Sequence, residues 1–357
     1  MCKHTEIKQL CSHTVLVKKR TFECVLAPNT YKTMKHPAPL FEYSIGIDVG
    51  GTSTKIGLVD REGHLLDRLS LDSQATPDAR QYASSVSELV QTIIRAHAAE
   101  GRIQGIGIGA PGVDERAEVM AAANMPFHEP VPLAKWIESA TGLPCRLIKD
   151  SSAAIIGERA FGGAKGMDHF VLLTLGTGLG SALMIHGKVI DGANGLASEY
   201  GHSPAVPNGR QCNCGKKGCL ETYVSATGLK RTVFELLASM KAESPLRGAD
   251  FHHLDARMIF DAAESQDPVA LEAFRYTGAI LGRAIAGLIV LLDPQAVFLA
   301  GGLIHAGPRL FDPVRESLAE HLLPMFQGSC PILPSRLGAD DTGILGAAAI
   351  LWDDPKS

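Results

Sequence analysis

One pattern occurs twice in this chain and limits its fold more than any other feature. Around Gly50 an apolar run at 44–49 leads into GGTST and a second run at 55–60; the turn REGH then opens a third run near 65–71. Around Gly176 the order returns, with a run at 170–175, the turn GTGLG, a run at 181–185, a turn at Gly187 and Lys188, and a last run at 189–191. Strand, glycine turn, strand, turn, strand, met twice, marks a duplicated unit. The rest of the chain alternates: helices over 77–100 and 133–141 and one opening at Ser151, with strands at 103–109 and 146–149. Long helices follow, at about 271–291, 313–323 and 342–352, with strands at 296–299 and 332–335. Such alternation predicts an α/β protein, here with two similar domains facing a cleft. The matching boundaries are an extension over 1–43, a first domain over 44–155 and a second over 156–341, with the terminal helix 342–352 packing back onto the first.

Composition removes several function classes. The chain has 357 residues, 45% hydrophobic and 20% charged, with net charge −4. That balance suits a soluble globular protein of two domains and offers no basic surface for nucleic acid or anionic membrane. The longest strongly apolar run, 284–292, is far below the roughly 20 residues of a membrane helix. The first 33 residues hold three of the eight cysteines and six Lys or Arg against two Glu, without hydrophobic periodicity or a signal-peptide core, so the extension reads as disordered or weakly attached.

Cysteine use is concentrated elsewhere. Cys212, Cys214 and Cys219 fall within eight residues, ten residues after His202. Three thiolates and an imidazole form a complete shell for Zn²⁺, and a closed shell is structural rather than catalytic. Cysteine also fills cores and forms disulfides. Cys212 and Cys214 are too close for a relaxed bridge, however, and Gly215, Lys216, Lys217 and Gly218 between ligands do not read as a core strand. The remaining cysteines show no disulfide framework, which fits a reducing cytoplasm. Two carboxylates, Glu199 and Glu221, flank the cluster, so the metal is expected to shape a site rather than perform chemistry.

Three further features carry chemistry. In DVGGTSTK, Gly50 and Gly51 free backbone N–H groups to approach phosphate oxygens, Thr52 and Thr54 add hydroxyls, Lys55 adds a cation, and Asp48 is placed to hold Mg²⁺. The segment is neither a Walker loop nor a dinucleotide fingerprint, because GxxxxGK[ST] is absent and a strand follows. Alone it reads equally as a hairpin turn. Gly176, Thr177 and Gly178 stand at the equivalent point of the second unit, and two matched turns can hold a polyphosphate from both sides. Asp150 follows a strand and opens a helix; it reads either as an N-cap or as the base that accepts a hydroxyl proton during attack on a γ-phosphate.

Taken together, DVGGTSTK, GAPG, DSSAA, LGTGLGS, EYGH, CNCGKKGCLE and the late AGG resemble the ROK family of repressors, open reading frames and sugar kinases, over about residues 44–352. The resemblance implies a duplicated actin-like (ribonuclease-H-like) two-domain kinase fold with a zinc-stabilised loop. It implies ATP- and Mg²⁺-dependent phosphorylation of a hexose 6-hydroxyl, with glucose the first expectation, and a homodimer. Asp150 matches the catalytic base. Glu199, His202, Glu221 and Asn124 match residues around the sugar, and His202, Cys212, Cys214 and Cys219 match the zinc ligands. Gly51, Thr52, Thr54 and Lys55 match the first phosphate loop, Gly176, Thr177 and Gly178 the second, and Gly301 and Gly302 the adenosine platform. One departure stands out: Lys149 precedes Asp150 where the family usually has Asn, which unsettles sugar preference. The alternatives are an N-acetylmannosamine or N-acetylglucosamine kinase and, in another class, a sugar-sensing regulator without catalysis. The regulator needs an N-terminal DNA-binding domain, and the residues before 44 lack its periodicity. A zinc-ribbon nucleic-acid binder is weaker still, because Lys216 and Lys217 alone make no basic surface.

Overall fold

A computed structural model describes residues 41–75, 78–113, 118–119, 127, 129–338 and 341–352. Asn124, Cys2, Cys11 and Cys24, and nearly all of the expected extension, lie outside the described residues. The first half opens with three antiparallel strands, β1 (Phe41–Val49), β2 (Ser53–Asp60) and β3 (Leu65–Asp72). Helix α1 (Ala79–His97) crosses to β4 (Gly101–Ala110), and α2 (Leu133–Thr141) leads to β5 (Cys145–Lys149), which runs straight into α3 (Asp150–Ala160).

The second half repeats this plan. Strands β6 (Phe170–Leu175), β7 (Leu179–Ile185) and β8 (Lys188–Val189) are followed by a long insertion. It carries α4 (Glu221–Val224), α5 (Ala226–Ser239), α6 (Ala256–Glu264) and α7 (Pro268–Leu292) before β9 (Ala296–Ala300). Then come α8 (Pro308–His321), β10 (Ile332–Pro334) and α9 (Thr342–Ala349). The two sheets run β3-β2-β1-β4-β5 and β8-β7-β6-β9-β10. In each, the first three strands are antiparallel and the last two run parallel to the first. The duplication legible in the glycine turns is therefore a duplication of sheet topology.

Some boundaries differ from the sequence expectation for local reasons. Helix α1 starts at Ala79, after Asp78 takes the N-cap with its carboxylate accepting from Gln81 N. Helix α8 starts at Pro308 rather than Pro313; a proline in the first turn gives up only an N–H that has no helical partner, and the helix continues through the second proline. Helices α5 and α6 add to the elements expected from the sequence. Helix α7 is, by length and composition, apolar enough to cross a bilayer. It serves here as a core helix, burying Ala273, Leu281, Ile285 and Ile289.

Each sheet buries both faces. Ile45, Ile47, Ile56, Leu58, Ile106 and Ile108 of the first pack against α1 and α2 through Val86, Val90, Leu133 and Ile137. Val171, Leu173 and Leu299 of the second pack with Leu229, Val233, Leu281 and Val314. The opposite faces are covered by an exchange. Helix α3, from the first half, packs Ala154 and Ile155 against Phe170, Leu172, Met184 and Phe298 of the second sheet. Helix α9, from the second half, lies on the first sheet with Ile344, Leu345 and Ala348 against Val59. Strand side chains alternate between faces, so the glycines between the buried isoleucines of β1 and β4 all face α9. At Gly107 the approach is so close that a Cβ would strike the carbonyl oxygen of Ala347.

A methyl group at that point meets backbone rather than the end of a flexible side chain. Gly107→Ala is expected to lower unfolding free energy by about 1–3 kcal/mol through overpacking. Urea denaturation measures this as a lower midpoint with an unchanged slope.

Candidate active site and metal centre

The parallel strands of the first sheet end together. Asp48 pairs with Gly109, and Ala110 with Lys149, so Asp48, the turn after β4 and the Lys149–Asp150 pair share one edge. Open α/β sheets bind ligands outside the carboxyl ends of their strands. Asp150 is the first residue of α3; the N-cap position belongs to Lys149, which makes no side-chain capping bond. Among the described residues the Asp150 carboxylate accepts only from the adjacent Ser151 N, at 2.6 Å. Its surface is exposed while its surroundings are dense, as for a group on the floor of an open cleft. Burial raises its pKa and the charge of Glu199 adds to the rise, opposed by the Ser151 N–H and by Lys149. Lys149 itself forms an ion pair with Glu199, which brings residues from both halves together beside Asp150.

Asp48 is the second carboxylate. Burial first, and the charge of Asp150 second, push its pKa up to about 6 against the pull of Lys55, its partner across the β1–β2 ladder. A side chain at Gly343, in the first turn of α9, would collide with the Asp48 carboxylate. The end of α9 is thus set directly on Asp48, where helix amides favour negative charge.

The glycine turns close the two hairpins. Gly50 N donates to Ser53 O at 3.2 Å, while Thr52 is exposed. Gln74 Nε2 donates to Gly51 O at 2.5 Å and Ser73 N to Thr52 O at 3.0 Å, holding this turn from behind. Thr54 does not join its neighbours: it is fully buried and its hydroxyl is bonded to Ser73 and Tyr82. The period-two alternation of β2 turns it away from the open side, so its expected hydroxyl contact with phosphate is not what the structure offers. In the second turn Thr177 is exposed and Gly176 N donates to Gly178 O at 3.0 Å. Gly301 ends β9 with a φ of 87°, and a Cβ there would lie 2.6 Å from Leu175 O. Only glycine combines that conformation with that approach. Gly302 beside it faces open space.

His202, Cys212, Cys214 and Cys219 converge, their ligand atoms all within 4.8 Å of one another. Cys212 Sγ lies 3.6 Å from His202 Nδ1, and Cys214 Sγ 3.6 Å from Cys219 Sγ. Sulfurs around a tetrahedral Zn²⁺ sit about 3.8 Å apart, so the set fits the ion. Burial pushes the Cys219 thiol up to about 12 and raises Cys212, whereas the Lys216 N–H lowers Cys214. Metal binding therefore has to release protons. Arg210 anchors the base of the loop. Its guanidinium bonds Glu235 at 2.8 and 2.6 Å and the carbonyls of Thr222 and Gly228 at 2.6 and 3.0 Å, and it stacks on Tyr223. Glu221 links this loop to the second glycine turn: one carboxylate oxygen accepts from Leu179 N at 3.0 Å and the other faces Cys212 Sγ at 3.8 Å. Glu199 is pinned differently, by a following turn in which Tyr200 OH donates to Ala284 O at 2.7 Å.

These features can be set beside known proteins. The model of the ROK family matches residues 44–354. The chain belongs to the ROK family. A glucokinase of Thermotoga maritima is 35% identical over 316 residues, which cover 86% of this chain and 96% of that protein. The crystal structure of a ROK family glucokinase from Streptomyces griseus in complex with glucose and AMPPNP is 32% identical, with a TM-score of 0.72, and the match covers 86% of this chain and 98% of that one. A xylose repressor of Bacillus subtilis is 26% identical over 87% of this chain and 77% of its own length. The duplicated sheets are thus the actin-like kinase fold of ROK glucokinases.

Sequence reasoning missed four residues of this ROK site: Gly343 against Asp48, and Ser73, Gln74 and Tyr82 behind the first turn. Gly343 carried a signal, since glycines inside the apolar helix TGILGAAA cost helix stability unless close packing requires them. The other three carried none: the β2–β3 pairing brings Ser73 and Gln74 beside the turn, and α1 brings Tyr82 there.

Two outcomes are expected. Cys214→Ser should lose stoichiometric zinc by elemental analysis, and unchanged metal content would refute the cluster. The carboxyl of Asp48 should titrate near 6 in carbon-detected NMR of the free protein, and Asp150→Asn should move it down, because removing a like charge eases ionisation. A midpoint unmoved by that substitution would contradict the coupling.

Proposed function

We propose that the protein transfers the γ-phosphoryl group of ATP to the 6-hydroxyl of a hexose, glucose first. The observation that carries this reading is Asp150: a carboxylate with raised pKa at the head of α3, on a strand-end edge shared with Asp48 and facing the Lys149–Glu199 pair. A base that removes a hydroxyl proton during phosphoryl transfer needs this combination of access and crowding. Asp48 would hold Mg²⁺, for which hard carboxylate oxygens are the natural ligands; the ion would neutralise charge on the phosphates. Backbone N–H groups around Gly50, Gly51 and Thr52 and around Gly176, Thr177 and Gly178 would hold the phosphates, with Lys55 adding charge and Gly301 and Gly302 leaving room for the adenosine.

The sugar would lie between Asp150 and Glu199. Glu199 accepts hydrogen bonds from sugar hydroxyls, and Lys149 both orients that carboxylate and supplies donors. His202, Cys212, Cys214 and Cys219 would hold Zn²⁺, which stiffens the loop between Glu199 and Glu221 without touching the reaction. Glu221 then ties sugar wall and phosphate turn together through Leu179 N. The two sheet systems, 44–155 and 156–341, would act as two domains that close over the substrates and exclude water.

Asp150→Asn is expected to reduce phosphoryl transfer by at least about a thousandfold, with glucose affinity kept within a few-fold. A coupled ADP-release assay and calorimetry read the two quantities, and retained turnover would sink the base assignment. The same assay across glucose, mannose, fructose, allose, N-acetylglucosamine and N-acetylmannosamine should give glucose the highest kcat/KM. Silence on all six sugars would favour sensing over catalysis.

A further inference from the structure

Three hydroxyls meet behind the first glycine turn. Thr54 stands in β2, Ser73 immediately follows β3, and Tyr82 lies in the opening turns of α1. All three are fully buried. Thr54 Oγ1 lies 2.9 Å from Ser73 Oγ and 2.5 Å from the Tyr82 hydroxyl. The peptide that carries Ser73 also grips the turn, through Ser73 N to Thr52 O at 3.0 Å and Gln74 Nε2 to Gly51 O at 2.5 Å. Burial keeps the Tyr82 phenol protonated, its pKa pushed up to about 12, so it remains available as a donor. A buried hydroxyl cluster of this kind holds its members in one arrangement, because a partner lost here cannot be replaced by water. The cluster therefore fixes the end of β2 and the start of the segment after β3, which are the two supports of the Gly51–Thr52 peptide.

We propose that Tyr82 is a positioning residue for the nucleotide: acting through Thr54 and Ser73, it sets the Gly51–Thr52 turn so that its amides face a phosphate group. This rests on the kinase reading above. Tyr82 itself touches no substrate. Its effect reaches the phosphate through Thr54, Ser73 and the turn, so it should alter nucleotide affinity while leaving the sugar wall, built from Glu199 and Lys149, unchanged.

The test compares Tyr82→Phe, Ser73→Ala and the double variant with the unaltered protein. Isothermal titration with AMPPNP and, separately, with glucose gives the two affinities. A further variant, Ser87→Ala, removes another buried hydroxyl of α1, one that donates within the helix to Ala83 O at 2.7 Å. Each cluster variant should weaken AMPPNP about five- to tenfold, the loss of one neutral hydrogen bond. Their effects should combine less than additively, because both break one network. Glucose affinity in all variants, and AMPPNP affinity in Ser87→Ala, should stay within about twofold. AMPPNP affinity unchanged in both cluster variants, or nucleotide and glucose weakened together, would overturn the role of Tyr82 and leave the kinase reading standing. Failure of the unaltered protein to bind AMPPNP would overturn the kinase reading and this inference with it.

Discussion

The exchange of α3 and α9 is the constraint on which the rest of the structure depends. Each helix leaves one half of the duplicated chain and covers a sheet face of the other. Without it both sheets would expose an apolar face, because strands buried on two sides have no polar face to turn to water. The same exchange fixes the chemistry. Helix α3 begins at Asp150, so packing Ala154 and Ile155 into the second sheet also sets the carboxylate at its head. Helix α9 begins beside Asp48, so seating its backbone on Gly107 brings its first turn onto that carboxylate.

Burial first, and the charge of Asp150 second, raise the pKa of Asp48, so ionising both acids together is unfavourable. Such a cost is tolerated where a cation is to be bound. A related logic governs the cysteine loop. Cys212 and Cys219 are buried with raised pKa values while Cys214 is exposed with a lowered one, so a metal ion bound here would have to displace thiol protons. Arg210 secures the loop's base independently of metal, through a guanidinium bonded to Thr222 O, Gly228 O, Thr232 Oγ1 and the Glu235 carboxylate. Beyond that base lie the tip with Cys212, Cys214 and Cys219 and the hydrogen bond from Leu179 N to Glu221.

Much of this was legible in the sequence, for physical reasons. The duplicated glycine turns announced two sheets of one topology, because turn chemistry and period-two patterning are local. The convergence of His202, Cys212, Cys214 and Cys219 was legible because ligand spacing is local as well. Asp150 was visible as a helix opener, and the structure puts Lys149 rather than Asp150 in the capping position. What stayed hidden is what the tertiary fold decides. Thr54 reads as a loop hydroxyl beside Thr52, yet strand alternation sends it into the core. Gly46 and Gly107 carry no sequence signal of their own, and their purpose appears only once the α9 backbone lies on them. The Lys149–Glu199 pair joins residues fifty positions apart and leaves no trace in either neighbourhood.

The most direct test of this arrangement is a crystal structure of the protein with glucose and Mg²⁺–AMPPNP. The exchanged helices predict the sugar 6-hydroxyl within hydrogen-bond distance of Asp150, and the triphosphate held between the turns at Gly50–Thr52 and Gly176–Gly178 with the metal beside Asp48. A sugar hydroxyl far from Asp150, or a nucleotide bound against one sheet without touching both turns, would contradict it.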